Sequence, residues 1–200
     1  RAAELCGELR EVLTGVRMYG ETIWIEIPGS PAVLRLLLRE RHLASRDLAP
    51  GEGEGSEDKL PPGRAVAFGV SETLSAMVNE EDHLRLQGLA AGFDLGGAWR
   101  RVHDLDTKLE ARVEFAHSER LGYLTGCPTN VGTGLRASVM LHLPALGMVR
   151  SELEKVFAAA QRTGLAVRGM YGEGSRAAGD FYQISNQVTL GRTEEQLIGD

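Results

Sequence analysis

Two short apolar runs joined by a tight turn constrain the fold of this chain most. RAVAFGV (64–70) and TLSAMVN (73–79) are both typical of β-strands, and the turn between them predicts an antiparallel hairpin. Further strand-like runs are joined by short or glycine-rich turns, with helical patterns between them. The sequence therefore predicts an α+β fold, a mostly antiparallel sheet flanked by helices.

Periodic patterns predict the other elements. Apolar residues recur at helical spacing in 2–17 and in 98–113, so both segments are predicted to be amphipathic helices. Strand-like runs occupy 21–28, 121–125, 136–143, 165–171 and 181–190. Capping residues predict three helix starts: Ser30-Pro31 for a helix to about 43, Ser151 with Glu154 for one ending near Gly164, and Thr193 with Gln196 for the last.

Composition argues against several classes of protein. The chain has 200 residues, of which 25% are charged and 42% hydrophobic, as in an ordinary soluble globular protein with a buried core. A net charge of −6 argues against direct binding of nucleic acid or of an anionic membrane. No apolar run approaches the roughly 18 residues of a membrane span. Two cysteines make no disulfide framework, so we expect a reducing cytoplasm.

The segment 49–63, APGEGEGSEDKLPPG, interrupts these patterns. It consists mainly of glycine, proline and acidic residues, with Ala49 and Leu60 as its apolar members. Such a composition is typical of a surface connection without secondary structure. We therefore predict a mobile surface loop here rather than a domain boundary.

Three polar clusters fall at strand ends or in loops, where sites tend to lie. They are NEEDHLR (79–85), CPTNVGTGLR (127–136) and RGMYGEGSR (168–176). Arginines beside glycine-rich backbone can hold phosphates, because guanidinium forks match phosphate oxygens. Carboxylates can align a guanidinium, itself a poor nucleophile, and remove its proton as it attacks a γ-phosphate. The set suits phosphoryl transfer to a guanidinium, although composition alone does not require it.

These motifs carry a family resemblance. CPTNVGTGLRASV resembles the signature loop of the phosphagen (ATP:guanidino) kinases, NEEDHLR their acidic motif, and RGMYGEG with ISNQVTLG their second glycine-rich loop and final strand. YLTGCPTNVGTGLRASVMLHLPAL and GDFYQISNQVTLG look closest to the bacterial branch that phosphorylates arginine side chains in proteins. The order and spacing agree over about 64–191, which makes the match far more specific than a lone glycine-rich triplet. The resemblance implies a phosphagen kinase catalytic domain, glutamine-synthetase-like in fold, over 1–200.

The resemblance also implies roles for individual residues. Glu81 would orient and deprotonate the guanidinium, Cys127 would lie beside it as a reactive thiol, and Glu173 would be a second catalytic carboxylate. The nucleotide would contact Arg85, Arg136, Ala137, Ser138, Val139, Met140, Arg168, Gly169, Met170, Tyr171 and Gly172. The implied cofactor Mg²⁺ would be held mainly by the ATP phosphates and water, so no residue is predicted as a metal ligand.

One of these roles departs from the family pattern. The small-molecule phosphagen kinases have their second catalytic glutamate where this chain has Arg176. Glu173 lies three residues earlier, and whether it or another residue supplies the second carboxylate stays open.

The implied activity is ATP-dependent phosphorylation of arginine side chains in proteins, which the resemblance links to bacterial protein quality control and stress response. Expected partners are ATP and arginine-bearing proteins, together with an activator protein and a homodimer formed through the family's C-terminal region. We find neither that region nor the family's N-terminal phosphate-binding stretch, so we expect a fragment whose own activity stays open.

Other interpretations stay open beside this one. The chain could phosphorylate free arginine or another small guanidino compound, or be a catalytically silent nucleotide-binding or interaction fragment. At the level of residues, Cys127 could be a buried packing residue, Glu80 and Asp82 a solvated acidic turn, and the loop glycines only turn formers. Cys6, on the apolar side of the first helix, is predicted to be an inert packing residue.

Overall fold

The computed structural model describes residues 1–51, 60–169 and 179–199. The chain forms two compact units, Arg1–Phe115 and Ala116–Asp200. Each unit combines helices with antiparallel strands, so the predicted α+β fold with mostly antiparallel sheet is confirmed.

The first unit is built on a four-stranded antiparallel sheet. Its elements are α1 (Ala2–Gly15), β1 (Thr22–Glu26), α2 (Ala32–Glu40), β2 (Ala65–Gly69), β3 (Leu74–Val78), β4 (Leu84–Gly88) and α3 (Leu95–Glu110). The strands follow one another in the order β1-β2-β3-β4. The predicted hairpin is the pair β2 and β3, in which Ala65 lies opposite Val78 and Phe68 opposite Ser75.

Two apolar clusters cover the two faces of this sheet. Because successive strand residues point to opposite faces, Ala65 and Ala67 join the cluster of α1 and α3, whereas Val66 and Phe68 join the second cluster. Cys6, Leu9, Leu13, Leu105 and Leu109 belong to the first cluster, and Ile27, Leu38, Leu43, Leu48 and Met77 to the second. Every residue of β2 and β3 is consequently buried.

The second unit has smaller sheets and longer connections. Its elements are β5 (His117–Ser118), β6 (Gly122–Tyr123), a 3-10 turn (Pro128–Asn130), β7 (Ser138–His142), α4 (Pro144–Gly147), α5 (Arg150–Arg162), β8 (Leu165–Gly169), β9 (Phe181–Asn186) and α6 (Glu194–Gly199). The strands β7, β9 and β8 form one antiparallel sheet in that order, and β5 pairs with β6. The contact between Phe157 and Tyr182 packs α5 on one face of the larger sheet.

Two of the three predicted helix caps are wrong. The Ser30 hydroxyl donates to the carbonyl of Ile27 at 2.7 Å instead of capping α2, which ends at Glu40. Ser151 lies inside the first turn of α5, because that helix already begins at Arg150, and no side chain caps it. Local sequence identifies a capping hydroxyl but does not show at which residue the backbone enters the helix.

The third cap is confirmed. The Thr193 hydroxyl accepts the backbone N–H of Gln196 at 3.3 Å, and the Gln196 side chain accepts the backbone N–H of Thr193 at 3.0 Å. This reciprocal pair is a capping box at the start of α6. Strand β9 ends at Asn186 rather than at 190, because the following residues turn to bind the loop before β7.

The ends of the segment 49–63 are anchored in the first unit. Ala49 is fully buried, and Leu60 packs against the second apolar cluster. The centre of the predicted mobile loop, 52–59, lies outside the described residues. In the described part of the chain, no helix combines the length and apolar character that a membrane crossing requires.

Candidate functional site

The predicted catalytic Glu81 lies in the turn between β3 and β4. This acidic turn, residues 79–83, is closed by a hydrogen bond from the Asn79 N–H to the His83 carbonyl at 3.0 Å. Asn79 has a positive φ of 54°, a conformation that asparagine tolerates better than most residues. Its side-chain amide donates to the carbonyl of Gly63 at 2.7 Å. The turn is thereby fixed, and the Glu81 side chain is exposed at its tip.

Glu80 is not the solvated acid that its sequence neighbours suggested. Its side chain is only 4% exposed. It accepts a hydrogen bond from the Ser45 hydroxyl, which reaches it from the segment after α2. A buried carboxylate needs such partners, because burial of an unpaired charge is costly. Two adjacent glutamates of the acidic turn therefore have different environments, Glu80 inside and Glu81 outside.

Arg85, a predicted phosphate ligand, is held by Glu80. Its Nη1 lies 3.1 Å and 3.2 Å from the two carboxylate oxygens of Glu80, and its side chain is 46% exposed. A guanidinium carries five N–H donors, and this pair engages only those of Nη1. Nε and Nη2 can therefore face an anion while Glu80 fixes the position of the guanidinium.

Cys127 lies in a loop of the second unit, residues 126–136, which we call the thiol loop. The thiol is partly exposed and lies 3.0 Å from the Thr129 hydroxyl, within the 3-10 turn that follows it. Thr125 donates its hydroxyl to the Cys127 carbonyl at 2.6 Å, which fixes the backbone at this point. The alternative that Cys127 is a buried packing residue is therefore wrong, whereas Cys6 is buried as predicted.

Gly132 has a structural reason to be glycine. It is buried with φ of +113°, and an added Cβ would lie 2.8 Å from the Cα of Leu190. The thiol loop thus contacts the segment after β9 backbone to backbone. Gly134 is exposed, and an added Cβ would find no atom nearer than 3.8 Å, so its reason to be glycine is its positive φ of +61° rather than a close contact.

Thr189 attaches the thiol loop to the end of β9. Its hydroxyl donates toward the carbonyls of Thr129 and Val131 at 3.1 Å and 2.8 Å, and its own carbonyl accepts the N–H of Thr133 at 3.1 Å. Thr189 is only 9% exposed. These bonds hold the loop at three residues between Cys127 and Arg136.

The predicted nucleotide residues of β7 and β8 divide between the two faces of the sheet. Met140, Gln183 and Arg168 lie in one row across β7, β9 and β8, so their side chains share a face. Ser138 is on the same face, where its hydroxyl accepts from Gln183 Nε2 at 2.8 Å. Val139 alternates to the opposite face, on which Tyr182 contacts α5. We call the face that carries Ser138, Met140, Arg168 and Gln183 the polar face. A ligand bound on the polar face therefore cannot contact the Val139 side chain.

The remaining predicted site residues lie at several places in the two units. Arg136 is exposed and Ala137 half-buried, both just before β7, and Gly169 is the last residue of β8. Glu81 and Arg85 belong to the first unit, and Cys127, Arg136 and Arg168 to the second. The predictions for Met170, Tyr171, Gly172 and Glu173 concern residues outside the described ranges, as does Arg176.

Two further features of the described residues bear on the site. Within residues 1–51, 60–169 and 179–199, no group of three or more His, Cys, Asp or Glu side chains is arranged to hold a metal ion. A surface pocket of the first unit contains none of the predicted residues; it is lined by Gly15, Val16, Arg17, Lys108, Ala111 and Arg112.

Sequence reasoning missed several residues that shape these sites. Asn79 and Glu80 build the acidic turn, Gln183 lies between Met140 and Arg168, and Thr189 binds the thiol loop. The asparagine at a tight turn was a usable signal, because asparagine favours such positions. The other roles depend on partners far away in the sequence.

Comparison with known proteins gives matches of three kinds. The model of the family "ATP:guanido phosphotransferase, C-terminal catalytic domain" matches residues 25–200. The protein-arginine kinase of Halothermothrix orenii is 49% identical over 177 residues, which are 88% of this chain and 48% of that protein. That of Moorella thermoacetica is 51% identical over 168 residues, 84% of this chain and 45% of that protein. The chain spans about half the length of these curated relatives.

Solved structures match at lower identity. The duplicated taurocyamine kinase from Schistosoma mansoni, with bound transition-state-analogue components, superposes with a TM-score of 0.82 at 26% identity over 99% of this chain and 27% of that one. Lombricine kinase superposes with a TM-score of 0.76 at 25% identity over 98% of this chain and 55% of that one.

Proposed function

The chain belongs to the ATP:guanido phosphotransferase family, as its motifs predicted, and from this premise we propose that the protein containing it phosphorylates arginine side chains of other proteins with ATP. One observation carries the proposal, the difference in identity between two groups of relatives. The chain is 49% and 51% identical to two protein-arginine kinases but 26% and 25% identical to taurocyamine and lombricine kinases. That difference favours a protein-borne arginine over a small guanidino compound.

In the proposed reaction, Glu81 accepts a proton from the substrate guanidinium while a guanidinium nitrogen attacks the γ-phosphorus of ATP. The N–P bond forms as the bond from the γ-phosphorus to the β,γ-bridging oxygen breaks, and ADP leaves. The exposure of Glu81 at the tip of a fixed turn supports this role, since a base must reach its substrate. Glu80 would not compete, because its buried carboxylate is already bound to Ser45 and Arg85.

Arginines would stabilise the negative charge of the phosphates. Arg85 is oriented by Glu80, Arg168 lies on the polar face of the second sheet, and Arg136 lies just before β7. A fixed guanidinium stabilises developing charge without having to reorient during the reaction. Mg²⁺ would enter with ATP and neutralise phosphate charge, held by phosphate oxygens and water.

Both units would contribute to one catalytic domain, a proposal that the family match over 25–200 supports because it covers parts of both. In a cell, use of ATP and two free thiols suit a reducing cytoplasm. An activator protein and a homodimer are proposed only for the longer protein.

The test uses the full-length protein with γ-labelled ATP and either an arginine-containing protein or free arginine as acceptor. We expect acid-labile phosphate on the protein acceptor, located on arginine by mass spectrometry. Glu81→Gln should lower turnover by at least ~10²-fold, the lower range for loss of a general base. Because Glu81 is exposed, the variant should keep the wild-type unfolding transition.

Each alternative gives a distinct outcome. Faster transfer to free arginine than to the protein would identify a small-molecule guanidino kinase. Binding of ATP without transfer to either acceptor would identify a catalytically silent module. Near-normal turnover of Glu81→Gln would exclude Glu81 as the base while leaving the activity itself in place.

A further inference from the structure

The side chain of Asn186 binds the backbone on both sides of Arg136. Its Oδ1 accepts the N–H of Ala137 at 2.8 Å, and its Nδ2 donates to the carbonyl of Leu135 at 3.0 Å. Nδ2 also donates to the carbonyl of Val188 at 3.2 Å. The backbone N–H of Asn186 adds a bond to the Ala137 carbonyl at 3.3 Å. One residue thereby fixes the peptide groups before and after Arg136.

The chemistry of this position requires a primary amide. Only an amide offers an acceptor and two donors on one short side chain, whereas an ionised aspartate accepts only. Asn186 is 9% exposed, so its polar atoms depend on these partners rather than on water. The link joins segments 49 and 51 residues apart in the chain, which no local turn would hold together.

Arg136 has a long side chain that is exposed to solvent. Such a side chain has many rotamers. The region that the Arg136 guanidinium can occupy is defined only if the backbone of Arg136 is fixed. The thiol loop before it is bound by Thr189 as far as Thr133, and the strand after it begins at Ser138. Between these two anchors, Asn186 binds the flanks of Arg136.

We propose that Asn186 is a positioning residue that orients Arg136 for its contact with the ATP phosphates. This inference rests on the proposed function, in which Arg136 binds those phosphates. Without the Asn186 amide, Arg136 would remain in the chain, but the position of its guanidinium would be less well defined. Small misplacements of a group that contacts the transition state lower the reaction rate strongly.

A double-mutant cycle in the full-length protein tests the coupling. Asn186→Ala should lower kcat/KM for ATP about 10- to 100-fold in the wild-type background. In the Arg136→Ala background the same change should lower it less than about threefold, because the residue through which Asn186 acts is already gone. Equal losses in the two backgrounds would overturn the proposal and make Asn186 a general structural residue.

Gln196→Ala is the matched control. It also removes a side-chain amide of the second unit that accepts one backbone N–H, here that of Thr193. Its effect on kcat/KM should be small and the same in both backgrounds. If Gln196→Ala lowered kcat/KM as much as Asn186→Ala does, then loss of any side-chain-to-backbone hydrogen bond in the second unit would lower activity, and the effect would not be specific to Asn186.

Two measurements keep the proposal testable if Asn186→Ala does not fold or if no phosphoryl transfer is seen. Amide hydrogen exchange of the wild-type protein should show Ala137 as protected as the interior of β9, and fast exchange at Ala137 would overturn the tether. Asn186→Asp keeps the acceptor for Ala137 but loses both donors, so it should bind ATP more weakly than wild type by calorimetry. Unchanged ATP affinity in that variant would contradict the proposal, whereas weakened affinity without any turnover would contradict only the proposed function.

Discussion

The first unit buries its central strands on both faces, whereas the sheet of the second unit is largely half-buried. All ten residues of β2 and β3 are buried, but among the residues of β7 none is. In the described part of the second unit, the buried apolar side chains are Leu153 and Leu197, beside the buried polar side chains Ser185, Asn186 and Thr189. The two units therefore depend on different interactions.

This difference has consequences for how each unit responds to change. Hydrophobic stabilisation grows with buried apolar area and has no preferred direction. The stability of the first unit therefore depends mainly on the size of its buried apolar side chains. Hydrogen bonds to backbone contribute about 1 kcal/mol each but fix geometry, so the second unit depends on orientation. The predicted phosphate-binding arginines of the second unit lie beside such bonds. Four measurements test this difference between the two units.

The largest effect is expected from a cavity in the first unit. Leu13→Ala removes a fully buried side chain from the cluster of α1 and α3, and the free energy of unfolding should fall by about 2–5 kcal/mol. The control Leu190→Ala truncates a side chain of the second unit that is 51% exposed, and should change stability by no more than about 0.5 kcal/mol. Urea unfolding followed by circular dichroism measures both. Equal losses would mean that the second unit also depends on apolar burial.

A smaller effect is expected at the buried acid of the acidic turn. Glu80→Ala removes the acceptor of both Ser45 and Arg85 and should lower stability by about 1.5–3 kcal/mol, the range for hydrogen bonds to a charged group. Glu80→Gln keeps an acceptor and should cost less. The neighbouring exposed acid is the control, since Glu81→Ala should stay within about 0.5 kcal/mol of wild type. A loss for Glu81→Ala as large as for Glu80→Ala would contradict the inside-outside division.

The helix caps of the second unit should show an effect of about 1 kcal/mol. Thr193→Ala breaks the capping box of α6 and should destabilise it by that amount, seen as faster hydrogen exchange of the Gln196 amide. Ser151→Ala is the matched control, because Ser151 makes no cap and its loss should leave α5 unchanged. Faster exchange at the start of α5 in Ser151→Ala would show that the serine caps the helix in solution.

The smallest effect is expected from chemical modification of the two cysteines, which requires no mutation. Burial raises the pKa of the Cys6 thiol above its ordinary value of 9.0, with a further increase from the charge of Glu26. At pH 8, Cys6 is therefore both protonated and covered, whereas Cys127 is partly exposed. Iodoacetamide should modify Cys127 first, and Cys6 only after unfolding or as the pH rises well above 9.0, read by mass spectrometry. Equal rates in the native protein at pH 8 would contradict this order.

Local sequence patterns were sufficient to predict several secondary structure elements and the family. The apolar runs 64–70 and 73–79, joined by a tight turn, were enough to predict the β2–β3 hairpin, because a strand buried on both faces needs apolar residues at nearly every position. The capping box of Thr193 and Gln196 could also be found, since its two partners are three residues apart. The motifs around Glu81, Cys127 and Arg136 identified the family, and with it a set of proposed site residues.

Which of several similar residues is buried, bound or exposed depends on tertiary packing and could not be read from local sequence. Glu80 and Glu81 are adjacent and chemically identical. Glu80 is nevertheless buried, where it accepts a hydrogen bond from Ser45, which lies 35 residues away in the sequence. Asn186 binds the flanks of Arg136 because β9 ends beside the start of β7, about 50 residues away in sequence. A local pattern reflects interactions between near neighbours, whereas partners this distant are selected by the packing of whole elements, which no short stretch of sequence contains.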